Sequence, residues 1–245
     1  MVHYVMPMAG RGSRFSKEGY DFPKPLIKIY DRPFFYWATQ SISKFVEIAT
    51  LDFVVLQEHI DKYHIDKEIL FYYPEARIHA LEDVTEGAVI TCMKGIKYIE
   101  DDMPVIFNDC DHLFKSTEFN LFCQDEINRV ADGVLLTFPA DEAKYSFVEK
   151  NEYGNVIRTV EKEVISNEAI CGCYYFRNVK AFMDAAEKYL ENCNYNEYFM
   201  SGVYNVMIAE DKVIKSMKTD FHVPYGVPEE YIEAQKSIKY KELMP

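Results

Sequence analysis

The chain has 245 residues, of which 49% are hydrophobic and 15% aromatic, so a sizeable α/β core can be buried. Its formal net charge of −13 argues against a general nucleic-acid or anionic-membrane surface, because both need basic patches. No apolar run reaches the roughly 18 residues of a spanning helix, no basic region typical of a signal peptide opens the chain, and the six cysteines form no CxxC pair. We therefore expect a cytoplasmic protein with reduced thiols.

The first part of the chain alternates between predicted strands and predicted helices. A short apolar run at 3–8 leads into a glycine-rich loop. Apolar spacing and β-branched content predict further strands over 51–57, 76–81 and 104–108 and helices over 34–45, 59–73 and 87–99. This alternation favours a doubly wound, mostly parallel sheet of the Rossmann-like α/β class, with helices on both faces.

The second part of the chain has a different pattern. Residues 145–161 alternate around a Tyr-Gly-Asn turn at 153–155, which is typical of a β-hairpin. Composition and periodicity predict additional strands over 132–140 and 169–176 and helices over 179–191, 197–210 and 228–241. No linker separates 1–131 from 132–245, so we expect a single domain over 1–245 with the hairpin as a smaller subregion.

A glycine-rich loop, GRGSRF at 10–15, directly follows the first predicted strand. Such loops bring backbone N–H groups close to phosphate oxygens, although a tight turn at a strand end is the alternative. The loop is not a dinucleotide fingerprint, because Phe15 replaces the third glycine, and no Walker-type Gly-Lys-Ser/Thr follows. Residues 1–33 carry six basic groups against three acidic ones, which indicates a compact anion site, with ordinary charge fluctuation as the alternative.

A lysine held between two prolines follows in FPKPL, residues 22–26. Proline fixes its own φ angle and restricts the backbone of the residue before it, so the backbone that carries the Lys24 side chain is nearly rigid. A stiff surface turn would explain this element alone. Its place directly after the glycine-rich loop favours an anion-binding site instead.

Residues 8–27, MAGRGSRFSKEGYDFPKPLI, resemble the A-G-x-G-x-R-F and P-K-P-L signature of the sugar nucleotidyltransferases, also called NDP-sugar pyrophosphorylases. The resemblance implies a glycosyltransferase-A-like fold, with 1–131 as the nucleotide-binding half and 132–245 as the acceptor-binding half. It also implies that Arg14 contacts the leaving pyrophosphate and that Lys24 binds the phosphates at the reacting centre. The loop residues that it implies for nucleotide binding are Met8, Ala9, Gly10, Gly12 and Ser13.

Two aspartates follow the strand predicted at 104–108. Acids at the carboxyl end of a parallel strand face the crevice where such folds bind ligands, and Mg²⁺ takes carboxylate oxygens together with substrate phosphates. The resemblance matches 110–114 with the Gly-Asp-Asn-type element of the family. It therefore makes Asp111 the catalytic metal ligand and Asp109 a second candidate, whereas a turn or capping role is the alternative for either.

The sequence departs from the family late in the chain. Family members supply a second metal-binding aspartate just before a Gly-Thr pair, but the matching stretch has Pro224 in its place and Val227 instead of threonine. Either Asp220 or Asp109 compensates, or Asp111 and the phosphates hold the metal alone.

The remaining candidate residues follow from the order of elements in the family. Glu86 and Gly87 begin the helix predicted at 87–99 and match a segment that lies against the nucleobase, with an acidic first turn as the alternative. Glu161 and Lys162 follow the hairpin, where the family contacts the acceptor, although an exposed Glu-Lys dipeptide is common. The other implied acceptor contacts are Ser146, Gly172 and Glu197.

These features predict a Mg²⁺-dependent enzyme that transfers NMP from an NTP to a sugar 1-phosphate or similar small phosphomonoester and releases pyrophosphate. No activated nucleophile is evident, which favours direct displacement. One rival is a glycosyltransferase that uses Asp109-x-Asp111 as a DxD motif with a nucleotide-sugar donor. Another, favoured by Pro224, is a non-catalytic regulatory relative that binds nucleotides. We expect no nucleic-acid or membrane partner, and a homo-oligomer is compatible with the sequence.

Overall fold

The structure, a computed structural model, describes residues 1–126 and 130–244. Its strands are β1 (Val2–Pro7), β2 (Lys28–Ile29), β3 (Arg32–Pro33), β4 (Ile48–Leu56), β5 (Arg77–Leu81), β6 (Val105–Asn108), β7 (His112–Lys115), β8 (Gly133–Pro139), β9 (Ser146–Lys150), β10 (Val156–Glu161), β11 (Glu168–Phe176), β12 (Ile214–Lys218) and β13 (Phe221–Pro224). Its α-helices are α1 (Ser13–Lys17), α2 (Phe34–Ser43), α3 (Gln57–Tyr63), α4 (Ile65–Tyr72), α5 (Ala88–Gly95), α6 (Thr117–Gln124), α7 (Val179–Asn192), α8 (Met200–Ala209), α9 (Pro228–Ala234) and α10 (Tyr240–Leu243).

The first half of the chain builds the parallel part of a nine-stranded sheet. Strand β1 pairs in parallel with both β4 and β6, and β4 pairs in parallel with β5. Successive side chains of β1 belong to cores on opposite faces, with Tyr4 and Met6 in one cluster and Val5 in the other. Both faces are therefore covered, which confirms the predicted doubly wound α/β class and brings the carboxyl ends of four strands to one edge.

The second half of the chain extends this sheet with mixed pairing. Strand β11 is antiparallel to β6, β8 and β9, and β12 pairs in parallel with β8. The predicted hairpin is present, because β9 and β10 pair antiparallel around the turn at Gly154. A small separate sheet joins β13 to β7, which brings the late segment 221–224 beside 112–115.

Several predicted helices are shorter or broken. The helix expected over 59–73 is divided into α3 and α4 at His64, whose φ of 53° is left-handed and interrupts helical hydrogen bonding. The helix expected over 87–99 stops at Gly95, which packs tightly against side chains of β1 and β4. The helix expected over 197–210 begins only at Met200, because the N–H of Tyr198 instead donates to the carbonyl of Glu86, and its carbonyl accepts from the N–H of Val89 in the first turn of α5.

The last predicted helix, 228–241, is two helices. Helix α9 ends at Ala234 and α10 starts at Tyr240, which is fully buried with its ring 4.8 Å from that of Trp37. Ile238, between them, is 71% exposed, so the apolar spacing across this stretch does not mark one buried face. In the part of the chain that the structure describes, every helix is too short or too polar to cross a membrane.

Candidate active site

The glycine-rich loop and the lysine between prolines lie directly against each other. Gly12 has a left-handed φ of 59°, and a Cβ added there would lie 2.9 Å from the Cβ of Lys24. Glycine is therefore required both for the backbone conformation and for the close approach. Lys24 opens a short 3-10 turn, Lys24–Leu26, in which Pro25 and Leu26 are buried. The two motifs form one structural unit at the carboxyl end of β1.

The ammonium of Lys24 points at Asp111, which lies just beyond the carboxyl end of β6. Nζ donates a hydrogen bond to Oδ2 over 2.7 Å, and each side chain is 25% exposed. Burial alone would lower the pKa of Lys24, but the Asp111 carboxylate raises it above its ordinary value. Burial likewise opposes ionisation of Asp111, yet Lys24 brings its pKa below the usual value. Both groups are therefore charged at neutral pH, and the cation is held in place.

Asp109 stands beside this pair on the same cavity wall. Its N–H donates to the carbonyl of Gly172 over 2.9 Å, and a Cβ on Gly172 would lie only 2.6 Å from its Oδ2. Gly172 has a left-handed φ of 88° at an irregularity in the pairing of β11 with β8, which again favours glycine. Burial and the charge of Asp111 raise the pKa of Asp109 to about 7.

The donor set suits a magnesium ion that also binds substrate phosphates. Asp109 and Asp111 supply hard carboxylate oxygens in one cavity, the ligand type that Mg²⁺ takes alongside phosphate oxygens. Within residues 1–126 and 130–244, no three His, Cys, Asp or Glu side chains are grouped so as to hold a metal by themselves. A complete coordination shell would therefore include substrate or water oxygens.

The late segment packs onto Asp111 without adding a carboxylate. The N–H of Tyr225 donates to the carbonyl of Asp111 over 2.9 Å. A Cβ on Gly226 would lie 2.7 Å from Oδ2 of Asp111. Pro224 lines the same cavity. Asp220, the other carboxylate considered for this role, does not line that cavity, and its Oδ2 accepts hydrogen bonds from the N–H and hydroxyl of Thr117 at the start of α6.

A cavity of about 260 Å³ opens beside these groups, and we call it the aspartate cavity because Asp109 and Asp111 line it. It brings together residues that are far apart in sequence, from α1, from the segment after β6, and from β9, β10 and β11. The predicted site residues that line it are Arg14, Asp109, Asp111, Ser146, Glu161 and Gly172. Two hydroxyls, from Ser146 and Ser201, donate to Oε2 of Glu161 and fix this carboxylate.

A second charged group in the aspartate cavity was not found from the sequence. Nζ of Lys144 lies 2.9 Å from Oε1 of Glu230, which also accepts a hydrogen bond from the Tyr145 hydroxyl over 3.1 Å. The other oxygen of Glu230 accepts from the N–H of Gly226 over 3.0 Å. In the sequence Glu230 looks like an ordinary acid in the first turn of α9, and only the folded chain shows that it braces the cavity.

Two predicted acceptor residues lie outside the lining of this cavity. Lys162 is exposed, with a left-handed φ of 57°, and its Nζ lies 4.6 Å from the ring centroid of Phe199. Phe199 itself lines the aspartate cavity, so Lys162 lies at its margin. Glu197 is exposed in the segment before α8.

None of the seven predicted nucleotide-binding residues lines the aspartate cavity. Met8 and Ala9 are buried at the end of β1, whereas Gly10 and Ser13 are exposed in the loop. Glu86 is exposed, and its carbonyl accepts a hydrogen bond from the N–H of Tyr198. Gly87 is buried against the same residue, since a Cβ there would lie 2.4 Å from the Tyr198 nitrogen.

A second cavity, of about 300 Å³, borders the other side of the glycine-rich loop, and we call it the loop cavity. Of the predicted nucleotide-binding residues, Gly12 lines it. Its opposite wall consists of residues that follow β4 and β5, namely Glu58, His59, Tyr63, Glu82, Asp83 and Val84. No motif in the sequence marks this wall, because charged residues after a strand are usually solvated turn residues.

A mostly parallel sheet with a glycine-rich loop after its first strand, and a partly buried lysine–aspartate pair at the strand ends, is the architecture of a nucleotide-binding α/β protein. The family model described as nucleotidyl transferase matches residues 5–241. The chain belongs to the nucleotidyl transferase family, an enzyme family, and the resemblance seen in residues 8–27 is confirmed.

Individual relatives are distant in sequence but similar in fold. The bifunctional protein GlmU of Clostridium beijerinckii is 21% identical over 234 residues, which are 89% of this chain and 48% of that protein. The chain spans less than half the length of the curated relatives that it matches.

Two solved structures show the same fold. A nucleoside-diphosphate-sugar pyrophosphorylase from Vibrio cholerae RC9 is similar with a TM-score of 0.82 at 22% identity, over 96% of this chain and 100% of that chain. The inositol-1-phosphate CTP transferase from T. maritima has a TM-score of 0.75 at 16% identity, over 98% of this chain and 96% of that chain. These similarities confirm the glycosyltransferase-A-like fold.

Proposed function

We propose that this nucleotidyltransferase transfers an NMP group from an NTP to a sugar 1-phosphate, or a similar small phosphomonoester, and releases pyrophosphate. The observation that carries the proposal is the 2.7 Å contact between Lys24 and Asp111, beside Asp109 and against the glycine-rich loop. It supports a site where phosphate charges are neutralised by groups that are already in position. The reaction draws on NTPs, and we propose the cytoplasm as its location.

The chemistry requires two anions to react. An oxygen of the acceptor phosphate forms a new bond to the α-phosphorus, and the bond from that phosphorus to the α–β bridging oxygen breaks in line. The leaving pyrophosphate takes the electron pair, so negative charge grows on it. Fixed cations stabilise that charge without reorganising during the reaction.

Lys24 and Arg14 are assigned to this task. Lys24 is mounted on a proline-restricted turn and held by Asp111, and Arg14 lines the aspartate cavity together with Asp111. Asp111 and Asp109 would hold a magnesium ion, which when bound neutralises phosphate charge and orients phosphate oxygens. Asp111 therefore has two roles in the proposal, as a metal ligand and as the group that positions the Lys24 ammonium.

The acceptor is assigned to the aspartate cavity. Glu161 is held by the hydroxyls of Ser146 and Ser201, and an ionised carboxylate can only accept hydrogen bonds. Hydroxyl groups of a sugar or polyol phosphate are suitable donors. The backbone at Gly172 leaves room next to Asp109, where a side chain would otherwise intrude.

The test is a pyrophosphate-release screen of the common NTPs against a panel of phosphomonoesters with Mg²⁺. Turnover is expected for at least one NTP–phosphomonoester pair, and it should stop when EDTA removes the metal. If an NDP-sugar is consumed without pyrophosphate formation, the glycosyltransferase assignment is correct instead. If NTPs bind but no pair reacts, the protein is a nucleotide-binding relative and the proposal is wrong.

A further inference from the structure

The loop cavity is placed where a nucleotide could reach the reacting centre. Arg11 and Gly12 line this cavity, and Gly12 packs against the Cβ and the backbone of Lys24. Its floor includes Leu56, the last residue of β4. A nucleotide whose base lies in this cavity would therefore have its phosphates beside the loop and directed toward Lys24.

The wall opposite the loop carries carboxylates without partners. Glu82 and Asp83, directly after β5, are exposed and line the cavity. Neither makes an ion pair or side-chain hydrogen bond with any residue in 1–126 or 130–244. Glu58 lines the same cavity but forms an ion pair with Lys62 over 2.5 Å. Glu82 and Asp83 are thus the carboxylates of this wall that are available to a ligand.

A buried histidine in the same wall also lacks a hydrogen-bond partner. His59 is 6% exposed and lines the cavity, and no residue in the described part of the chain hydrogen-bonds to its Nδ1. A buried polar nitrogen left unsatisfied is unfavourable and calls for a ligand or a water molecule. Burial lowers the pKa of His59, so its imidazole is neutral near pH 7 and offers a donor and an acceptor.

We propose that the loop cavity binds the base of the NTP and selects a base with an exocyclic amino group, namely guanine, cytosine or adenine, over uracil and thymine. This inference rests on the proposed function. Carboxylates accept hydrogen bonds only, so Glu82 and Asp83 require donors on the base edge. Guanine presents two adjacent N–H donors, and cytosine and adenine each present an amino group. Uracil and thymine present one N–H between two carbonyl oxygens, which the carboxylates would repel.

Aromatic side chains at the mouth of the cavity support the same occupant. Phe22 and Tyr63 both line it, with their ring centroids 6.1 Å apart, and Phe22 is 59% exposed. Flat faces of this kind stack on nucleobases whatever the base identity. Stacking would thus provide affinity, while Glu82 and Asp83 would provide the choice of base.

The test is direct binding of ATP, CTP, GTP, UTP and dTTP with Mg²⁺, measured by calorimetry without any acceptor. At least one amino-bearing NTP should bind roughly tenfold or more tightly than UTP and dTTP. Glu82→Gln should reduce or reverse this preference, because an amide can both accept from the N–H and donate to the carbonyl of uracil. Asp83→Asn is the second variant. Glu75→Gln, an exposed glutamate that lines neither cavity, should leave the preference unchanged.

The outcomes separate this inference from the proposed function. Turnover with UTP or dTTP as the preferred substrate overturns the base assignment and leaves the transferase assignment intact. A base preference that moves with Glu82→Gln, in a protein that releases no pyrophosphate, supports the base assignment and overturns the transferase. Unchanged selectivity in folded Glu82→Gln and Asp83→Asn proteins, or no NTP binding at all, also overturns the inference.

Discussion

The two cavities beside the glycine-rich loop differ in how their charges are arranged. In the aspartate cavity two carboxylates are paired with lysines, Asp111 with Lys24 and Glu230 with Lys144. In the loop cavity, Glu82 and Asp83 have no such partners within the described ranges. The aspartate cavity thus suits the proposed neutralisation of phosphate charge by groups that are already in position, whereas the loop cavity leaves hydrogen-bond acceptors open for a ligand.

The largest expected effect comes from removing the fixed cation. Lys24→Ala should lower the rate of pyrophosphate formation on the order of 10²–10³-fold, because the transition state loses a prepositioned positive charge. The measurement is kcat under saturating substrates, with circular dichroism to verify folding. Lys28→Ala is the matched control: Lys28 is a nearby lysine that is exposed and lies 3.5 Å from Glu68. Equal activity of both variants would show that the aspartate cavity is not organised around Lys24.

Asp111→Asn should have an effect of similar size and should also change the response to metal. The amide removes one negative ligand and the anchor of Lys24, so the activity should fall roughly 10²-fold or more and the Mg²⁺ concentration for half-maximal rate should rise. A magnesium titration of the two proteins measures this. Asp220→Asn is the control, since Asp220 contacts Thr117 at α6. An unchanged magnesium requirement in Asp111→Asn would remove Asp111 from the metal site.

Gly172→Ala tests whether the geometry around Asp109 matters. The added Cβ would lie 2.6 Å from Asp109 Oδ2 and would move this carboxylate, so we expect a loss of roughly tenfold to 10²-fold in kcat. Gly154→Ala is the matched control, because Gly154 also has a left-handed φ, 75°, but its Cβ would meet nothing within 4 Å.

The stability of the two glycine variants should differ less than their activity. Each places an alanine in left-handed backbone, which lowers the free energy of unfolding by about 1–2 kcal/mol. Chemical denaturation measures this change. If Gly154→Ala lost as much activity as Gly172→Ala, backbone strain rather than displacement of Asp109 would explain the result.

The smallest expected effect concerns the margin of the aspartate cavity. Lys162→Ala should raise the KM for the acceptor roughly tenfold and leave the KM for the NTP unchanged, because Lys162 lies next to Phe199 at the margin of the cavity to which the acceptor is assigned. Lys180→Ala, an exposed lysine on α7 paired with Asp184, is the control. A change in the KM for the NTP alone would place Lys162 on the nucleotide side.

Local motifs predicted the first half of the site well. Residues 10–15 and 22–26 specify their own backbone, since glycine permits the left-handed turn at Gly12 and proline stiffens the chain around Lys24. The strand before Asp109 and Asp111 was evident from its apolar run. Each of these features depends only on residues that are adjacent in sequence, and it can therefore be recognised without the structure.

The tertiary structure alone decided how the distant parts meet. Asp109 contacts Gly172, Asp111 contacts Gly226, and Lys144 pairs with Glu230, across separations that no local pattern records. The same limit explains the break at His64 and the role of Asp220 at α6, which depend on packing between elements. The family could be identified from the motif in residues 8–27, and the loop and the restricted lysine from local backbone chemistry. The cavities and their charge balance arose only when remote segments packed together.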